Sequence, residues 1–123
     1  MASFNSDNPQ LVVDHVPFFA SGAITNGNTA TISFDNLTER VIVTCKTATA
    51  GVMLVGVTTT GVGGTANMTL TAGSTTGDLP VRLKQVVLKA NGGDVTYDVT
   101  AVLSRFESQS YPDITTANGF SGV

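Results

Sequence analysis

Apolar and polar residues alternate with a period of two along much of this chain, which is the pattern of a β-strand with one buried face. In the clearest case every second position is apolar over nine residues: Val95, Tyr97, Val99, Ala101 and Leu103. A shorter segment alternates in the same way at Ala30, Ile32 and Phe34. Because no stretch of ten residues has a 3.6-residue period, we expect helix content near zero.

Three further strands follow from the same pattern. Residues 40–46 place Val41, Val43 and Cys45 on one face. Residues 52–57 are apolar on both faces, which predicts a strand in the middle of a sheet. A short strand is expected at residues 67–70.

Two more apolar stretches contain irregularities. Residues 11–24 include Pro17, which has no backbone N–H to donate, so we expect two separate strand pieces. In residues 81–89 the apolar parity changes between Leu83 and Val86, which predicts a β-bulge near residues 84–85.

Glycine-rich segments separate these strands. The pair Asn26-Gly27 predicts a tight turn, and Asn91-Gly92-Gly93 is the strongest hairpin signal in the chain. Residues 58–66 and 71–78 are rich in Gly and Thr and are expected to be loops, the first of them flexible and without core residues.

The expected fold is therefore all-β: a single β-sandwich or jelly-roll-like domain of seven to eight short antiparallel strands. At 123 residues the chain is one domain on length alone. Residues 11–106 form this domain. Residues 1–10 are expected to be an N-terminal arm, because residues 1–9 are polar and end in the turn signal Asn8-Pro9. Residues 107–123 have neither periodicity and are expected to be an extended C-terminal arm.

Composition supports a sheet and limits the partners. The commonest residues are 19 Thr and 16 Val, both β-branched, while charged residues are only 12% and the net charge is −3. Without a cluster of Lys and Arg there is no electrostatic footprint for nucleic acid. The sequence also lacks a membrane-length apolar run and the basic, apolar start of a signal peptide, so we expect no membrane partner and synthesis in a host cytoplasm.

Candidate chemistry is sparse. Cys45 lies in an apolar run, so a buried small side chain is expected rather than a reactive thiol. His15 has no identifiable nucleophile to activate, and Asp94 with Asp98 fits a solvated strand face better than a pair of catalytic carboxylates. Glycines at 61–64 precede no predicted helix that could bind phosphate. We therefore predict no enzyme activity, no metal site and no cofactor.

Two Asn-X-Thr triplets, at Asn36 and Asn67, match the N-glycosylation pattern. In a chain this rich in Asn and Thr such matches arise by chance, and we expect neither to be used.

The terminal arms carry aromatic residues, which disordered tails seldom keep. Docking arms use such side chains as anchors in a partner's pockets, although they can also fold back on their own domain. We expect an interface built from these side chains and their apolar neighbours: Phe4, Pro9, Phe106, Tyr111, Ile114 and Phe120.

Few charges are available to protect the edges of the sheets, since the chain has only three Lys. A low-charge surface covered with Thr, together with docking arms, is typical of a subunit in a symmetric assembly.

In this setting the chain resembles the small all-β decoration, or cement, proteins of tailed bacteriophage heads. The similarity lies in Gly27–Phe34 (GNTATISF), Val41–Cys45, the ending NGFSGV, and Val81–Lys89 (VRLKQVVLK) leading through NGG into VTYDVTAVL. The similarity extends over most of the chain but is one of general character. The family has no shared active site, so no residue roles are transferred.

The resemblance implies a virion protein on the capsid exterior that clamps neighbouring capsomers. Its implied partners are the major capsid protein and copies of itself, with a homotrimer favoured over a dimer. Two alternatives remain open: a glycan- or receptor-binding β-sandwich module of a viral fibre or adhesin, and a jelly-roll minor capsid subunit. The first lacks Trp for stacking on sugars, and the second lacks a basic arm in residues 1–10.

Overall fold

The computed structural model describes residues 15–115 and Asn118. It contains seven β-strands, one short helix and one 3₁₀ turn in the described part of the chain. Their bounds are β1 Val16–Ile24, β2 Thr29–Ser33, β3 Asn36–Ala48, β4 Val52–Gly56, α1 Thr59–Gly63, β5 Met68–Leu70, β6 Gln85–Asn91, β7 Val95–Glu107 and the 3₁₀ turn Ser108–Ser110.

The strands form two antiparallel sheets, which confirms the predicted all-β sandwich. One sheet has three strands in the order β1-β7-β3, and the other has four in the order β2-β6-β4-β5. β4 lies between two neighbours, as its two apolar faces predicted. The alternating positions of β7 face the core, which is filled mainly by β-branched and other aliphatic side chains: Val41, Val43, Met53, Val86, Leu88, Val95 and Val99.

Most connections carry the chain from one sheet to the other. β1, β3 and β7 belong to one sheet, while β2, β4 and β6 belong to the other. The predicted hairpin at Asn91-Gly92-Gly93 is therefore wrong, because β6 and β7 pair with other strands and not with each other. The glycines turn the chain there, but the chain then passes to the opposite sheet. Each of the two strands has an apolar face, which it buries against the other sheet.

The apolar segment predicted as a single strand over residues 81–89 is divided between the two sheets. Residues 71–84 run beside β3 with hydrogen bonds in both directions, including Val41 N–H to Leu79 O at 3.0 Å and Leu79 N–H to Val41 O at 2.9 Å. From Gln85 the chain continues as β6 in the other sheet. The predicted bulge at residues 84–85 is wrong, because the parity change marks this crossing. The register shifts instead occur in β3.

The predicted break at Pro17 is also wrong. β1 runs without interruption through Pro17, which lies opposite Val102 of β7. Within residues 15–115, β1 has β7 on one side only. An edge strand accommodates a residue without an N–H when that position faces outward. Residues 11–14 of the predicted strand lie outside the described residues.

Residues 58–66 are not the flexible loop that their composition predicted. The hydroxyl of Thr58 accepts a hydrogen bond from the Gly61 N–H at 2.9 Å and caps the short helix α1. Val62 is buried and packs this helix onto the sheet. The expectation of almost no helix was wrong here, because one well-placed cap and one buried valine outweigh the poor helix propensity of Gly and Thr.

Candidate interaction surfaces

The titratable and nucleophilic side chains of the described residues do not converge. Among them, no group of three or more His, Cys, Asp or Glu is arranged to hold a metal ion. Cys45 is fully buried, and burial raises the pKa of its thiol. His15 Nδ1 lies 2.7 Å from a carboxylate oxygen of Glu39, and its side chain is largely exposed. The absence of an enzyme activity stays a prediction.

The most exposed of the large apolar side chains in the described part is Phe19, at 74%. It projects from the outer face of the three-stranded sheet, opposite Thr100, and Thr100 in turn lies opposite Ile42. Two residues earlier in β1, on the same face, Pro17 lies opposite Val102. Pro17 and Phe19 are exposed, and Ile42 and Val102 are half-buried. We call these four side chains the Phe19 patch.

Sequence reasoning did not identify the Phe19 patch, although the sequence contains a signal for it. Phe18 and Phe19 are consecutive in one strand, so their side chains must point to opposite faces. Phe18 packs against Phe34 in an edge-to-face contact with ring centroids 5.0 Å apart. Because Phe18 takes the inner position, Phe19 must face outward.

Charged side chains around the Phe19 patch are paired within the chain. Arg40 forms an ion pair with Asp78, and Lys46 Nζ lies 3.7 Å from a carboxylate oxygen of Asp98. Exposed pairs of this kind contribute only about 0–1 kcal/mol to stability. Their effect is to leave an almost neutral surface around the apolar centre, which suits contact with another protein.

The edges of the three-stranded sheet differ. On the β3 side, residues 71–84 cover the edge with the hydrogen bonds described above. On the other side β1 has no strand beside it within residues 15–115. β1 is nine residues long and contains no charged side chain, and Pro17 is its only conventional edge-protecting residue.

A second apolar region forms where β7 ends. Phe106 and Tyr111 contact each other edge to face, with ring centroids 6.4 Å apart. The guanidinium carbons of Arg82 and Arg105 lie 5.2 and 5.5 Å from the Phe106 ring centroid, within range of cation–π attraction. Both aromatic rings keep about 40% of their surface exposed, at 38% for Phe106 and 42% for Tyr111.

The start of the predicted C-terminal arm lies against the body. β7 includes Glu107, and Lys84 Nζ donates to the carbonyl of Tyr111 at 2.8 Å and to Asp113 Oδ1 at 2.7 Å. Ile114 is half-buried and lines a depression beside α1. The structure thus brings together Phe106 and Tyr111, while the predicted interface residues Phe4, Pro9 and Phe120 lie outside the described residues.

Both Asn-X-Thr triplets use their asparagine amides internally. Asn36 Nδ2 donates to the Ser104 carbonyl at 2.7 Å, and Asn67 Nδ2 donates to the carbonyls of Gly61 and Gly64, each at 2.9 Å. Asn67 uses both protons of its amide nitrogen, so a glycan attached there would remove one of these bonds.

Comparison with known proteins gives no relative. No protein family, curated protein or solved structure matches the chain. Among the described residues, no helix has the length and apolar character needed to cross a membrane.

Proposed function

We propose that this protein is a virion structural subunit that binds the outer surface of an assembled capsid and strengthens the contacts between capsomers. The observation that carries the proposal is the Phe19 patch, an apolar surface centred on the exposed Phe19 of β1. β1 contains no charged residue, and within residues 15–115 no strand covers its outer edge. Monomeric proteins rarely keep such features without a partner. The resemblance of the sequence to capsid decoration proteins supplies the identity of that partner, the major capsid protein.

Such a subunit acts through contact area. Each copy that binds across the boundary between two capsomers favours the assembled shell by mass action, and symmetry repeats the contact many times. The Phe19 patch supplies an apolar centre, and the Arg40–Asp78 and Lys46–Asp98 pairs supply a polar rim. The Phe106–Tyr111 pair offers a second anchor, flanked by two positive charges.

The test is co-sedimentation of the full chain with empty heads of the virus whose genome encodes it. Saturable binding at a fixed number of copies per head, with greater resistance of the heads to heat, would support the proposal. Phe19→Ser should weaken this binding, whereas Thr96→Ser, on the same outer face, should leave it unchanged. Absence of binding by the wild-type chain would contradict the proposal, and retention on a glycan surface would then favour the fibre or adhesin alternative.

A further inference from the structure

The outer edge of β1, which no strand within residues 15–115 covers, is chemically suited to pairing with β1 of a second copy of the chain. From Val16 to Ile24 the strand reads VPFFASGAI, so no charge on one copy would repel another. The side chains that follow Phe19 on the outer face are small, namely Ser21 and Ala23, so they would not crowd the Phe19 ring of a paired copy. Other edges in the described part are shorter, with five residues in β2 and three in β5.

The backbone direction follows from Pro17. In an antiparallel pair, residues alternate between positions that exchange hydrogen bonds with the neighbour and positions that do not. Pro17 has no N–H, so it belongs to the second kind in its pairing with Val102 of β7. The same holds two, four and six residues later, so Phe19, Ser21 and Ala23 direct their N–H and C=O groups away from β7.

We propose that two copies of this chain associate by antiparallel pairing of their β1 strands, with the twofold axis midway between their two Ala20 residues. Ala20 is the central residue of β1, so this register pairs all nine residues of each strand. It joins the two three-stranded sheets into one continuous six-stranded sheet, β3-β7-β1-β1-β7-β3. The outward N–H groups of Phe19, Ser21 and Ala23 from both copies then make about six backbone hydrogen bonds.

The same register also joins the apolar patches. Phe19 of one copy lies opposite the partner copy's strand position 21, and the two Phe19 rings become diagonal neighbours on the outer face, within reach of each other. Pairing would therefore reduce the 74% exposure of Phe19 and extend the Phe19 patch across the twofold axis. The product is an isologous dimer and not the trimer that the family resemblance implies.

The proposal is tested by light scattering of the full chain over a range of concentrations. A dimer has twice the chain mass of 12.6 kDa. Ser21→Lys places a charge at the proposed β1–β1 interface and should raise the dissociation constant of the dimer at least about tenfold. Thr31→Lys, in the middle of the other sheet's edge strand β2, is the matched control and should leave the dimer intact.

Amide hydrogen exchange distinguishes edge pairing from other contacts. In the dimer the amides of Phe19, Ser21 and Ala23 should exchange at least about tenfold more slowly than at concentrations where the chain is monomeric. A monomer at all accessible concentrations, a trimer, or a dimer in which these amides exchange rapidly would overturn the proposal. So would a monomer in which they are protected, because the chain itself would then cover the edge. The inference does not rest on the proposed function: a dimer that fails to bind heads would contradict only the capsid role.

Discussion

The backbone N–H of Asn26 donates a hydrogen bond to Oδ1 of Asp94, 2.9 Å away, although 68 residues separate them in the chain. The side chain of Asn26 in turn accepts a hydrogen bond from the Gly92 N–H at 2.9 Å. Asn26 lies in the turn between β1 and β2, and Asp94 lies between β6 and β7. These bonds therefore hold together two of the connections that carry the chain between the sheets.

Asp94→Ala should lower the free energy of unfolding by about 1 kcal/mol, because it removes the acceptor of the Asn26 N–H at a turn that must be formed for the sheets to stack. Urea denaturation measures the change. Asp98→Ala is the control, since it removes only an exposed ion pair with Lys46 and should change stability by less than about 0.5 kcal/mol. Equal effects of the two substitutions would contradict the special role of Asp94.

Gly93→Ala should destabilise the protein by about 2 kcal/mol or more. A Cβ at this position would collide with the backbone of Ala50, in the connection between β3 and β4. Backbone atoms cannot move aside as easily as the end of a flexible side chain. Gly63→Ala, at the end of α1, is the matched control because a Cβ there meets nothing within 4 Å. It should be neutral or stabilise by about 0.5 kcal/mol. Thermal unfolding of both variants would show whether this crowding exists.

Phe19→Ser should change the free energy of unfolding by less than about 0.5 kcal/mol, because the ring is mostly in solvent. Phe34→Ala should lower it by about 3–5 kcal/mol, since Phe34 is 3% exposed and packs edge to face on Phe18. Urea denaturation compares the two at a protein concentration where self-association is absent. A large loss of stability in Phe19→Ser would indicate that the Phe19 ring is buried in the core, and would contradict the exposed Phe19 patch.

Thr38→Val should lower the free energy of unfolding by about 1–3 kcal/mol while preserving shape. Thr38 is fully buried, and its hydroxyl donates to the Val81 carbonyl at 2.6 Å and accepts from the Leu83 N–H at 2.9 Å. Valine would leave both backbone groups without this partner. The control is Thr44→Val in the same strand, whose side chain points to the outer face. If both variants were equally stable, the packing of residues 71–84 against β3 would not depend on the Thr38 hydroxyl.

Cys45 should not react with a water-soluble thiol reagent in the native state and should react fully in denaturant, because its side chain is buried. Burial also raises the pKa of the thiol in the folded state. As pH rises past about 8.5, the unfolded chain loses this proton first, so the free energy of unfolding should fall with pH. Cys45→Ala should remove this part of the pH dependence, which is measured as the difference between the two denaturation profiles. Rapid labelling of the native protein would contradict the burial.

Local chemistry was sufficient to predict most of the strands, because strict alternation in β7 and the β-branched content favour strands over helices. It was not sufficient for the connections. The glycines near residue 92 require a turn whether the next strand pairs with the last one or crosses to the opposite sheet. The choice depends on which partner buries the apolar face of each strand, a long-range contact that no window of sequence contains.

The same division applies to the candidate surface. The sequence by itself determined an all-β sandwich, a buried Cys45 and the consecutive Phe18 and Phe19, one of which had to face outward. Only the tertiary structure decided which of the two faces outward, since Phe18 packs against Phe34 and Phe19 is left in solvent. It also decided that residues 71–84 cover β3, while no strand within residues 15–115 covers the outer edge of β1. Backbone hydrogen bonding between strands depends on which segments meet in space and not on their order in the chain.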